Sequence, residues 1–125
     1  MEEARTILVV EDDRIARMAL EEIFDLLGYR SLMAANGEEA LALYTRHAAE
    51  IGLVLSDMKM PRMSGLELYQ KLKALNPNIK MVLSTGFSEQ ERSVPEAEGI
   101  RAWIQKPYSL DRLMDVVQRI LDSPA

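Results

Sequence analysis

Short apolar runs alternating with stretches of helical period restrict the fold of this sequence more than any other feature. The runs are 7–10, 53–55, 79–83 and 102–104, with a weaker alternating segment at 29–34 as a candidate edge strand. Runs this short are typical of strands buried on both faces of a parallel sheet. Five alternations of strand and helix predict an α/β fold: a doubly wound, five-stranded parallel sheet of flavodoxin-like type with helices on both faces.

The predicted helices begin at recognisable capping residues. Asn36, Ser64 and Ser88 are each followed three positions later by glutamate, and Ser109 precedes an acidic first turn. Asp13 is better interpreted as an N-cap than as a metal ligand.

Length and composition bound the possible functions. The 125 residues fit a single domain spanning 1–125, with a core from about 5 to 122. A net charge of −5 argues against nucleic-acid binding, which needs a basic footprint. No apolar run is long enough to span a membrane, and the acidic N-terminus does not resemble an export signal. Together with the absence of cysteine, these features predict a cytoplasmic protein without thiol chemistry.

Reactive side chains follow four of the five predicted strands. Glu11 and Asp12 follow the first strand, Asp57 ends the third, Thr85 ends the fourth, and Lys106 follows the fifth. The carboxyl ends of parallel strands meet at one rim, and the strand order 2-1-3-4-5 places the first and third strands side by side. The two acids after the first strand are then expected near Asp57.

Four segments in this order resemble the receiver domains of two-component response regulators, of the chemotaxis-regulator type. The segments are 7–13, 55–65, 84–86 and 106–107. The resemblance implies that Asp57 accepts a phosphoryl group from a partner histidine kinase or phosphotransfer domain. It implies that Asp12 binds a metal directly, Glu11 binds it through water, and the backbone carbonyl of Lys59 completes the shell. Thr85 and Lys106 would contact the phosphoryl group, and Pro107 would follow a cis peptide bond.

The charges of these residues are consistent with a divalent cation. Three carboxylates and one ammonium carry a formal charge of −2, which Mg²⁺ (or Mn²⁺) would neutralise. Oxygen ligands with room for water suit Mg²⁺. Each residue also has a simpler interpretation: Asp57 as a turn or cap residue, Thr85 as an ordinary strand end, and Lys106 as a solvated loop lysine. Only the occurrence of all these residues at the ends of neighbouring strands favours a phosphoryl-accepting site over the simpler interpretations.

The resemblance also implies a conformational switch that couples Thr85 to an aromatic residue, here Trp103, on the face of the fourth helix, fifth strand and fifth helix. Pro95 should make the helix within 88–99 short or split. Gly86 should loosen the exit from the fourth strand, and Phe87 is hypothesised to shield the phosphoryl group from water. Met58, Met60 and Met63 are interpreted as packing beneath the loop, or as kinase contacts.

Several alternatives stay open at this point. The chain is either a stand-alone regulator or the receiver of a hybrid sensor kinase, and a monomer or a phosphorylation-linked homodimer. It is a signalling switch rather than an enzyme, acting on a downstream protein partner. A non-phosphorylated interaction module would have lost an acid or the lysine. A phosphohydrolase would need a second acid where Lys59 stands. His47, with no acid at the right spacing, is interpreted as a solvated surface group, so the donor histidine should come from a partner.

Overall fold

Five parallel strands form a single sheet in the order β2-β1-β3-β4-β5. The structure is a computed structural model that describes residues 4–86 and 99–123. Its elements in chain order are β1 (Thr6–Val10), α1 (Arg14–Leu26), β2 (Ser31–Ala34), α2 (Gly37–His47), β3 (Ile51–Asp57), α3 (Gly65–Leu75), β4 (Met81–Thr85), β5 (Ile100–Gln105) and α4 (Leu110–Asp122). The predicted fold class and strand order are confirmed.

Helices cover both faces of the sheet. α1 and α4 pack on one face, around Phe24 and Val117, whereas α2 and α3 pack on the other, around Tyr44 and Leu72. Every residue of β1 and β4 is buried, as expected for strands whose apolar residues at 7–10 and 81–83 face both layers of helices. Within the described parts of the chain, no helix is both long and apolar enough to cross a bilayer.

Four helix starts follow the predicted capping chemistry. The side chains of Asp13, Asn36, Ser64 and Ser109 each accept a hydrogen bond from a backbone N–H in the first turn of the helix that follows. The capping box at Ser64 is reciprocal, because the backbone N–H of Ser64 donates to Glu67. The predictions for 87–98, which include the cap at Ser88, the break at Pro95 and the role of Phe87, lie outside the described residues.

The strand order brings the predicted reactive residues to one rim. β1 pairs with β3 as far as Val10 and Ser56, and β3 pairs with β4 as far as Asp57 and Ser84. β4 pairs with β5 up to Thr85. The segments that leave these four strands therefore begin at the same edge of the sheet, which is where ligands of such folds bind.

Candidate functional site

Three carboxylates meet at the carboxyl ends of β1 and β3. Oxygen atoms of Glu11, Asp12 and Asp57 all lie within 4.8 Å of one another. Glu11 is buried and Asp12 is exposed, while the Asp57 side chain retains only 11% of its accessible surface. Three carboxylates at this spacing repel one another unless a cation lies between them. The arrangement therefore has the donor chemistry of a site for a hard divalent cation.

Lys106 forms ion pairs with two of these carboxylates. Its Nζ atom lies 3.1 Å from Asp57 Oδ1 and 3.2 Å from Glu11 Oε1. The lysine follows β5, and the peptide bond between Lys106 and Pro107 is cis, as the resemblance implied. The backbone N–H of Lys106 donates to the carbonyl of Thr85 at 2.7 Å, which fixes the lysine to the end of β4.

Glu11 is held in place through its side chain and its backbone. One carboxylate oxygen, Oε1, accepts from Lys106, and the other, Oε2, accepts from the backbone N–H of Asp13 at 3.0 Å. The guanidinium of Arg17 donates to the backbone carbonyl of Glu11 at 2.9 Å. Glu11 is therefore buried and hydrogen-bonded at both carboxylate oxygens, whereas Asp12 is exposed.

The electrostatics of the rim raise the pKa of Asp57 to about 6. Burial is the main cause, and the charges of Glu11 and Asp12 add to it, while the hydrogen bond and charge of Lys106 oppose the rise. Burial also lowers the pKa of Lys106, but the hydrogen bond and charge of Asp57, with those of Glu11, outweigh burial, so this pKa lies above its ordinary value. Lys106 stays charged at neutral pH.

The loop after β3 is closely packed against the strand ends. The N–H of Met58 donates to the carbonyl of Ser84 at 2.9 Å, and the N–H of Gly65 donates to the carbonyl of Met58 at 2.7 Å. Met60 is buried, while Met58 and Met63 pack, partly buried, against the α2/α3 face. The structure favours the packing interpretation of these methionines.

Thr85, Trp103 and Lys59 occupy the places that the sequence predicted, although their roles stay predictions. Thr85 is the buried last residue of β4. Trp103 lies opposite Leu83 in β5 and packs, partly buried, against the α2/α3 face. Lys59 is exposed in the loop that follows Asp57.

Two details differ from the expectations drawn from the sequence. His47 is partly buried and lies 3.7 Å from Glu50, three residues on, so the prediction that it has no acidic neighbour is wrong. The sequence predicted no role for Ser84, yet its hydroxyl donates to Asp57 Oδ1 at 3.5 Å. The signal that could have identified Ser84 is a polar residue at the buried end of a strand whose neighbour in the sheet is the strand ending in Asp57.

Known proteins resemble this chain over nearly its whole length. The family model described as "Response regulator receiver domain" matches residues 7–118. Sporulation initiation phosphotransferase F of Bacillus subtilis is 34% identical over 92% of this chain and 92% of its own length. Sensor kinase CckA of Brucella abortus is 34% identical over 94% of this chain, which spans only 12% of the kinase.

A solved structure extends the likeness to three dimensions. The response regulator TrrA of Thermotoga maritima, crystallised in complex with Mg²⁺ and BeF, has a TM-score of 0.81 and 31% identity, and the match covers 93% of this chain and 98% of that one. The predicted membership is confirmed: this chain belongs to the family of response regulator receiver domains, the phosphorylation-linked switches of two-component signalling.

Proposed function

We propose that this chain accepts a phosphoryl group on Asp57 and acts through residues 5–122 as one receiver domain. The observation that carries the proposal is the position of Asp57 between two further carboxylates and the ammonium of Lys106, at 3.1 Å. An aspartate that only formed a turn or capped a helix would need neither the neighbouring carboxylates nor the lysine. Asp57 is the last residue of β3, so the sheet fixes its backbone while its side chain projects at the rim.

The transfer needs little machinery from this chain. An oxygen of Asp57 forms a bond to phosphorus as the P–N bond of a phosphohistidine breaks, and the imidazole nitrogen keeps the electron pair of that bond. Lys106 offsets the negative charge of the incoming phosphoryl oxygens. Hydrolysis reverses the modification: water attacks phosphorus, and the Asp57 carboxylate and inorganic phosphate are released. Thr85, at the end of β4, would donate a hydrogen bond to the new phosphoryl group.

The residues at the rim fit a magnesium ion. Receiver domains bind Mg²⁺ at an acidic pocket, and here Asp12, Asp57 and the backbone carbonyl of Lys59 would hold it directly, with Glu11 bound through water. Mn²⁺ has the same ligand preferences and would substitute. The ion would neutralise charge that Lys106 alone leaves uncompensated, so that an anionic phosphoryl donor can approach.

The partners follow from the family. Receiver domains take phosphoryl groups from histidine kinases or phosphotransfer proteins, and they are signalling switches rather than conventional enzymes. We propose such a donor here, with a downstream protein as the recipient of the signal and no role for nucleic acid. Thr85 and Trp103 would transmit the change to the face that includes β5 and α4, in a monomer or a phosphorylation-linked homodimer.

The experiment that tests the proposal is intact-mass measurement after incubation with a small acyl-phosphate donor, with and without Mg²⁺. The wild type should gain one phosphoryl group only with Mg²⁺, and Asp57→Asn should gain none. Asp13→Asn is the matched control, because Asp13 is an N-cap and asparagine caps a helix about as well. A folded wild-type protein that gains no mass under any condition would contradict the proposal and favour a non-phosphorylated interaction module.

A further inference from the structure

Ser84 lies beside the proposed phosphoacceptor. In the register of the sheet it stands directly opposite Asp57, and only 3% of its surface is exposed. Its hydroxyl donates a long, weak hydrogen bond to Asp57 Oδ1 at 3.5 Å, beyond the roughly 2.5–3.0 Å of an ordinary O–H···O bond. Among the described residues, no other acceptor is in reach of this hydroxyl. Buried hydroxyls normally have a hydrogen-bond partner, and for Ser84 that partner is the carboxylate proposed to react.

Two donors converge on the same oxygen of Asp57. Lys106 Nζ lies 3.1 Å from Oδ1, and the Ser84 hydroxyl approaches the same atom from β4. Within 4–86 and 99–123, no donor reaches the other oxygen, Oδ2. The two oxygens of an isolated carboxylate are equivalent. Here both donors engage lone pairs of Oδ1, so Oδ2 is the oxygen whose lone pairs stay free to attack phosphorus.

We propose that Ser84 is a positioning residue that holds Oδ1 of Asp57 and thereby presents Oδ2 to the phosphoryl donor. The inference rests on the proposed function and deepens it. When Oδ2 forms its bond to phosphorus and the donor's leaving group takes the electron pair of the broken bond, Oδ1 becomes the carbonyl oxygen of the acyl phosphate. That oxygen still accepts a hydrogen bond from Ser84.

Lys106 cannot serve this purpose alone, because two carboxylates share it. Its second partner is Glu11 Oε1 at 3.2 Å, and its charge is attracted by the added negative charge of a phosphoryl group. As Lys106 turns toward that group, Ser84 is the donor that stays on Oδ1. Its position is set by the pairing of β3 with β4 rather than by a flexible side chain, so the carboxyl plane keeps its orientation through the transfer.

Ser56 provides a matched control. It is also fully buried, adjacent to Asp57 and at the end of a strand, but its hydroxyl donates at 2.9 Å to the backbone carbonyl of Asp57 rather than to the carboxylate. Loss of the Ser56 hydroxyl removes a hydrogen bond of the same kind from the same neighbourhood without touching the reacting group.

The test compares phosphorylation kinetics by intact mass for wild type, Ser84→Ala, Ser84→Thr and Ser56→Ala, over a range of acyl-phosphate concentrations at saturating Mg²⁺. The Ser84→Ala rate at saturating donor should fall about tenfold, as expected for one lost hydrogen bond to a reacting group. Ser84→Thr, which keeps the hydroxyl, should recover most of that rate, and Ser56→Ala should match the wild type. The Mg²⁺ affinity, measured from Trp103 fluorescence, should stay the same in all four proteins.

Other results would overturn the inference in distinguishable ways. If Ser84→Ala is phosphorylated as fast as the wild type while Asp57→Asn is not phosphorylated at all, Ser84 has no positioning role and the proposed function stands. If rate and Mg²⁺ affinity fall together, or if Ser56→Ala loses as much as Ser84→Ala, the effect is general damage to the rim. A wild-type protein that gains no phosphoryl group would remove the proposed function and this inference together.

Discussion

At the scale of single residues, the rim is a site whose negative charge exceeds its positive charge. Lys106 contacts Asp57 and Glu11, and Asp12 adds a third carboxylate nearby. Burial, together with this excess of negative charge, raises the pKa of Asp57 to about 6. In the metal-free protein, the deprotonated form of Asp57 is therefore less favourable in the folded state than in the unfolded chain. Burying a carboxylate whose charge is incompletely compensated lowers the stability of the fold. The same uncompensated negative charge favours binding of a cation at the rim.

This imbalance predicts how the stability of the metal-free protein depends on pH. Because the pKa of folded Asp57, about 6, lies above its ordinary value of 3.8, the folded state binds more protons than the unfolded state between these two pH values. The free energy of unfolding should therefore fall as pH rises through this window, reaching its lower level above about pH 6. Asp57→Asn removes the titrating group, so its stability relative to the wild type should increase as pH rises from 3.8 to about 6.

Urea unfolding of both proteins in the presence of a chelator, at several pH values, measures this difference. Parallel stability curves for wild type and Asp57→Asn would show that Asp57 titrates alike in the folded and unfolded states, contrary to the prediction.

At the scale of elements, the connection between β3 and α3 depends on the absence of a side chain at Gly65. A Cβ atom there would lie 2.6 Å from the backbone carbonyl oxygen of Asp57 and 2.7 Å from Leu83 Cδ2. The first contact is with backbone, which cannot rotate away. The first turn of α3 is thus packed directly on the residue proposed to be phosphorylated.

Substitution of Gly65 by alanine should therefore lower the free energy of unfolding by about 1–3 kcal/mol, the usual range for overpacking a tight site. Gly86→Ala is the control, since an added Cβ at Gly86 would meet no atom of residues 4–86 and 99–123 within 4 Å and its backbone is outside the left-handed region. Gly86→Ala should leave stability unchanged or slightly higher. Urea unfolding midpoints of the two variants compare them directly, and equal losses would show that the close approach at Gly65 is unimportant.

The elements also show how much of the fold and site the sequence could predict. Apolar runs located the strands, and capping residues located four helix starts, because both patterns arise from local chemistry. The strand starts were predicted less well: β3 begins at Ile51 and β5 at Ile100, in each case two residues before the apolar run that predicted the strand. Ser84 was missed for a different reason. Its role depends on the register that places it opposite Asp57, and register is a tertiary property that no local pattern carries.

At the scale of the whole molecule, the site joins strands that are not neighbours. β1 and β5 are separated by β3 and β4 in the sheet, yet Lys106 after β5 contacts Glu11 after β1. The rim therefore connects segments that are 95 residues apart in the chain. A ligand bound there contacts atoms that come together only in the folded state, so its binding free energy adds to the stability of the whole domain.

Magnesium should accordingly raise the stability of the entire domain, and two adjacent aspartates allow a sharp test. At a Mg²⁺ concentration about a hundredfold above its Kd, the expected gain in unfolding free energy is about 2.7 kcal/mol. Asp12→Asn should abolish most of this gain because it removes a proposed direct ligand, and Asp12 is exposed, so the change leaves the core intact. Asp13→Asn should retain the full gain, because the Asp13 side chain caps α1 and does not belong to the cluster of three carboxylates.

Thermal unfolding with chelator and with saturating Mg²⁺, for the wild type and both variants, separates these cases. In chelator, Asp12→Asn should be at least as stable as the wild type, because one of three mutually repelling carboxylates has lost its charge. A loss of the Mg²⁺ response in Asp13→Asn but not in Asp12→Asn would exchange the roles of the two residues. An equal response in all three proteins would mean that Mg²⁺ stabilises the domain from somewhere other than this rim.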